Sequence, residues 1–179
     1  GECTVSWAPY AARTSAAALL MDGRRDYPKY RFAHEAPRFP VLLVTPVGEE
    51  RRDALGIDLA DTPERLEAIE QARDTGELTM VSVPSLDGSD RGFELYYPAY
   101  GGGRPETMDE RRAAFLGVIF VRAPTEALLG TAMQAVAPYF AFRVSEVGAV
   151  VQPLGVSPGF EPNVTGHLVA RTVTFGGHT

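Results

Sequence analysis

Asp58 lies among apolar neighbours, in Leu55-Gly56-Ile57-Asp58-Leu59, and an ionised carboxylate in such company must find donors or stay wet. Two sources are open to it. The N–H groups of a small ligand would give charge-assisted bonds, and backbone N–H groups at the helix start three residues later would serve equally well. Other chemistry-bearing residues are few: the histidines are His34, His167 and His178, and the only cysteine is Cys3. The chain has no Gly-x-Ser-x-Gly elbow, no His-Glu-x-x-His helix and no phosphate loop, and Cys3 has no evident base partner. Catalysis is therefore not expected. Glu49, Glu50, Asp53, Asp58 and Asp61 fall close together, but their spacing is not that of a calcium loop, so no metal is expected. Arg111-Arg112 can grip a carboxylate or phosphate, although a surface ion pair is the simpler outcome.

Composition limits what can position these residues. At 179 residues, with 45% hydrophobic and 22% charged, the chain can bury one core or the cores of two small packed lobes. A formal charge of −6 argues against nucleic acid, whose phosphates need a basic surface, and gains nothing at an anionic membrane surface. No apolar run reaches the roughly 18 residues a bilayer span needs, and no signal-peptide pattern is present. A lone Cys3 makes no internal disulfide, which leaves packing to hold the fold.

The elements follow from local signals. Thr4 to Trp7 reads as a strand closed by Pro9, and Ala11 to Met21 as an Ala-rich helix stopped at Asp22-Gly23. Tyr30 to His34 and Val41 to Val44 are strand candidates, the second by its β-branched content. The helix after Thr62 is the best signalled. Asp61 or Thr62 caps it, Pro63 fits its first position, Glu64 suits its positive end, and Gly76 ends it in a left-handed conformation. Leu78 to Val83, Phe93 to Tyr100 and Phe115 to Val121 read as three successive strands. Gly101 to Asp109 reads as a loop between the last two of these, and Pro124 opens a helix to Val136. Beyond that helix, Phe140, Phe142 and Val144 alternate, Gly148 to Val151 and His167 to Phe175 are strand candidates, and Leu154 to Pro162 is a loop. A boundary near Pro138 divides a first lobe, 1–137, from a smaller one, 138–179. The expected class is α+β, with helices laid on one face of an antiparallel sheet in a PAS-like arrangement. On that sheet, Tyr96 can turn both ring and hydroxyl to a pocket, and Gly117 offers bare backbone to a flat ligand.

Taken in order, Leu55–Leu59, Asp61-Thr62-Pro63-Glu64, Ala72–Gly76, Gly92–Tyr100 and Arg111-Arg112 followed by Phe115–Phe120 resemble the CHASE domain, the extracytoplasmic sensor module of membrane receptors. Ser6-Trp7-Ala8-Pro9-Tyr10 is similar to the family's first strand, and Val173–His178 to its last. The resemblance implies a periplasmic or extracellular sensor that binds a small organic ligand in its membrane-distal lobe. It implies no cofactor, and an output through a cytoplasmic histidine kinase or a nucleotide or diguanylate cyclase. It implies that Asp58 hydrogen-bonds the ligand, as the matching Asp of plant relatives does with a purine-type hormone, and that Met80 supplies an apolar contact. Plant receptors carry a small hydroxyl residue where Tyr96 stands, which implies a differently shaped pocket and a purine-like compound or organic acid other than cytokinin. Family members precede the Trp-Pro strand with a membrane helix and a stalk helix that forms the dimer surface. This chain starts at the strand and reads as a receptor fragment, whose homodimer would form through that stalk. The alternative function is a spacer or dimerisation module that binds nothing.

Overall fold

The computed structural model describes residues 3–45, 54–84, 91–103, 105–136, 139, 141–147, 152–157, 160 and 170–172. In chain order these hold β1 (Thr4–Pro9), a 3₁₀ turn (Ala11–Arg13), α1 (Ala16–Asp26), β2 (Leu43–Thr45), α2 (Pro63–Thr75), β3 (Thr79–Pro84) and β4 (Arg91–Tyr100). They continue with α3 (Met108–Ala114), β5 (Phe115–Pro124), α4 (Thr125–Val136), β6 (Arg143–Glu146) and β7 (Gln152–Val156). The class is α+β. Five antiparallel strands form one sheet in the order β2-β1-β5-β4-β3, and β6 pairs with β7. β3, β4 and β5 follow chain order, whereas β1 sits between β2 and β5. That pairing joins residues remote in sequence, so no local pattern announces it.

α2 forms as its sequence dictates. The Thr62 hydroxyl accepts from the Arg65 amide at 3.4 Å, Pro63 opens the helix, and Gly76 closes it at φ 76°. α1 departs from expectation. The stretch from Ala11 splits into a 3₁₀ turn and a helix because the Ser15 side chain accepts from the Ala18 amide and starts α1 afresh. Gly23 does not stop α1, which runs on to Asp26. A Cβ at Gly23 would lie 2.4 Å from the Tyr30 ring, so its bare surface is the seat of that ring. Tyr30 to His34 is not a strand: Tyr30 turns in against α1 and meets Phe32 edge-on at 5.9 Å. The expected loop to Asp109 gives way to α3, opened by a capping box between Thr107 and Glu110. Residues 154–156, expected in a loop, belong to β7. The candidate strand at 148–151, the motif from Val173, the boundary at Pro138 and all but 170–172 of the candidate strand at 167–175 lie outside the described residues, and 170–172 form no strand.

Strand alternation gives the sheet two faces. Ala8, Tyr96, Val118 and Phe120 point toward α2, where Ala68, Ile69 and Ala72 bury against them. Each large side chain buried there contributes about 1.5–3 kcal/mol relative to exposure. The opposite face carries Val5, Trp7, Met80, Leu95, Gly117 and Ile119 by the strand register. α1 covers its Trp7 end, while Tyr97 and Ile119 stay 51% and 41% exposed.

Candidate functional site

Asp58 is buried, and the donors it finds within the chain are backbone amides, though not those of the helix start three residues on. Its Oδ2 accepts from the Arg38 N–H at 2.8 Å, and its Oδ1 from Phe39 N–H at 2.8 Å and Ala60 N–H at 3.1 Å. Around it, Val41 N–H bonds Ile57 O at 2.9 Å and Leu59 N–H bonds Phe39 O at 3.0 Å. The carboxylate thus latches the segment before β2 to the segment before α2. Two of its three partners, Arg38 and Phe39, come from a stretch about twenty residues upstream that no motif spacing signals.

The other expected site residues do not converge on one cavity. Tyr96 lies on the α2 face, fully buried, stacked on Phe120 at 5.4 Å. Met80 is buried on the opposite face, paired across strands with Leu95. Gly117 is on Met80's side, but its bare backbone is covered by β1: a Cβ there would lie 2.4 Å from Ala8 O. Its φ of 151° favours glycine, so the residue serves close strand packing.

Sequence reasoning missed a buried polar cluster beside Tyr96. Glu94 is 2% exposed and takes a two-point bond from Arg65, with Nε to Oε2 at 2.7 Å and Nη2 to Oε1 at 2.9 Å. Tyr96 donates its hydroxyl to Glu94 Oε2 at 2.9 Å, and Arg122 approaches Oε1 at 3.4 Å. Burial first, then the Glu94 charge, pushes the Tyr96 phenol well above its usual range, so it remains a donor at every physiological pH. Asp61, one helical turn before Arg65, takes the remaining guanidinium arm at 2.7 Å. The one available signal was a charged residue in an otherwise apolar strand, Phe93-Glu94-Leu95. At the other end of α2, Asp74 holds Arg73 and Arg112, so Arg112 makes an ion pair and does not present a free guanidinium.

An open groove lies beside the Asp58 latch. It has a volume of about 330 Å³, with Tyr10, Leu19 and Phe32 as its apolar floor and Glu35, Pro37 and Arg38 along its edge. Arg38 is fixed from both sides, since its amide bonds Asp58 and its carbonyl accepts from Ala11 N–H at 2.8 Å. The Tyr10 ring stacks on Phe39 at 5.3 Å, which joins the floor to the core. A hollow of this size with an apolar floor and few polar groups suits a small organic molecule.

Among the described residues no group of three or more His, Cys, Asp or Glu is placed to hold a metal ion. Nor is any helix of those residues long and apolar enough to cross a membrane. No curated protein matches the chain. The family model of the CHASE domain matches residues 3–154, which takes in the latch, the five-stranded sheet and α1 to α4. The chain belongs to the CHASE-domain family, a family of extracellular, non-catalytic sensor domains of signalling receptors.

Proposed function

We propose that this domain is the extracytoplasmic part of a membrane receptor, that it binds a small organic ligand, and that it passes the signal to a cytoplasmic kinase or cyclase. The observation that carries this reading is the groove built against the Asp58 latch inside a CHASE domain. Asp58 serves the ligand through the wall it holds, since its oxygens are turned to the Arg38, Phe39 and Ala60 amides. In a PAS-like lobe, a ligand that favours one arrangement of this wall shifts the receptor by its difference in affinity for the two states. A lobe division near Pro138 remains part of this reading.

A second reading has its own support. The α2 face is filled by Tyr96, Phe120, Phe115 and Val118, as in a spacer that transmits force and binds nothing. Thermal unfolding in the presence of purines, organic acids and amino acids separates the two. Ligand at a hundred times its dissociation constant adds about 2.7 kcal/mol, which raises the midpoint by several degrees. An unmoved midpoint across all three classes assigns the domain to the spacer reading.

A further inference from the structure

The groove beside the latch has charges of both signs on its edge and apolar side chains beneath. Glu35 is exposed, and no hydrogen bond or ion pair among the described residues engages its carboxylate. Arg38, three positions on, has its backbone held at both the amide and the carbonyl, but among the described residues its guanidinium reaches only a loose pair with Glu70 at 3.8 Å. That pair is half exposed and worth little, so the guanidinium is available to a better partner. Below the charges, Leu19 is buried, Tyr10 and Phe32 are half-buried, and Ala16, Ala36 and Pro37 are too small to close the hollow.

We propose that this groove is a binding site for an apolar α-amino acid, with the ligand's ammonium on Glu35, its carboxylate on Arg38, and its side chain on Leu19, Tyr10 and Phe32. A zwitterion answers both charges at once. A simple amine leaves Arg38 without its carboxylate and a simple acid leaves Glu35 without its ammonium. The volume of about 330 Å³ admits a side chain as large as that of leucine or phenylalanine. The doubly fixed backbone at Arg38 leaves the side chains of Glu35 and Arg38 as the groups to be ordered on binding. The site rests on the sensor reading and gives it a ligand class.

Calorimetric titration of the domain with L-leucine and L-phenylalanine tests the site, with 3-methylbutylamine and 4-methylpentanoic acid as the leucine analogues that lack one charge each. The amino acids bind, each analogue binds at least about tenfold more weakly, and Glu35→Gln and Arg38→Gln each weaken leucine by about tenfold or more. Both substituted residues are exposed, so the fold persists in both variants, and an unchanged unfolding midpoint without ligand verifies this. Equal binding by the analogues, undiminished binding in both variants, or no binding by either amino acid overturns the site. If a purine or an organic acid binds where the amino acids do not, the sensor reading stands without this site. If no compound of any class binds, both fall.

Discussion

A carboxylate in an apolar run has two possible fates, and Asp58 and Glu94 show that local sequence does not choose between them. Both bury, and each finds protein donors: three backbone amides for Asp58, two arginines and a phenol for Glu94. Removing either therefore leaves buried and part-buried donors without their acceptor. Asp58→Ala leaves the Arg38, Phe39 and Ala60 amides short and costs roughly 2–4 kcal/mol, as unsatisfied buried groups typically do. Asp58→Asn keeps one acceptor oxygen and costs less, and urea unfolding of the two variants orders them. Glu94→Ala removes the carboxylate between Arg65 and Arg122, with Asp61 left to hold one arm of Arg65, at a cost of at most about 3–5 kcal/mol. Tyr96→Phe removes one donor while both arginines remain, and costs no more than about 1.5 kcal/mol. An Asp58→Ala domain as stable as its parent would overturn the latch.

At the scale of elements, legibility in the sequence followed the range of the interaction that forms each one. α2 was readable to its ends because its capping residue, its proline and its glycine are all its own. α1 was misread at both ends. Its start depends on the small Ser15 cap within an Ala-rich stretch, and the tolerance of Gly23 depends on Tyr30 folding back onto it. α3 was legible in principle, since Thr107 and Glu110 spell a capping box, but the three glycines before it drew the stretch into a loop. The site fared worse than the elements. Asp58 stands out as a carboxylate in need of donors, yet two of the three residues that supply them stand at 38 and 39. Tyr96 and Met80 fall on opposite faces because Tyr96 pairs with Thr79 while Met80 pairs with Leu95, a register that neither strand's own sequence reveals. Gly76→Ala tests the element logic. A Cβ there meets only ordinary contacts with Arg111 at 3.4 Å, so the loss of about 1–2 kcal/mol comes from the left-handed backbone alone. In Gly117→Ala the strain of a backbone at φ 151° is joined by collision with Ala8 O, and the midpoint falls further.

For the whole molecule, the sheet gives one face to α2 and leaves much of the other half-covered, and a cluster of ion pairs lies at each end of α2. This arrangement sets how stability responds to pH. The Asp74 carboxyl is held well below its ordinary value near 3.8 by hydrogen bonds from Arg112 and then Arg73. Unfolded Asp74 therefore binds a proton at a pH where the folded one does not. Its contribution is complete above about pH 4 and is lost as the pH falls below that. Tyr30 behaves in the opposite sense. Burial pushes its phenol up to about 12, while its hydroxyl donates to Val41 O at 3.1 Å. The unfolded chain gives up that proton first, near pH 10, so the stability Tyr30 supplies is intact below pH 10 and drains away between about 10 and 12. Tyr96 and Tyr100, also raised first by burial, steepen the same alkaline limb. Urea midpoints measured from pH 2 to 12 should therefore show a plateau with a falling limb on each side. Asp74→Asn lowers the plateau slightly and flattens the acid limb while leaving the alkaline one, and Tyr30→Phe does the reverse. An acid limb as steep in Asp74→Asn as in the parent shows that the pairs with Arg73 and Arg112 are solvated in solution, and then the C-terminal end of α2 is joined to α3 by Arg111 and the Asp74 carbonyl at 3.2 Å instead.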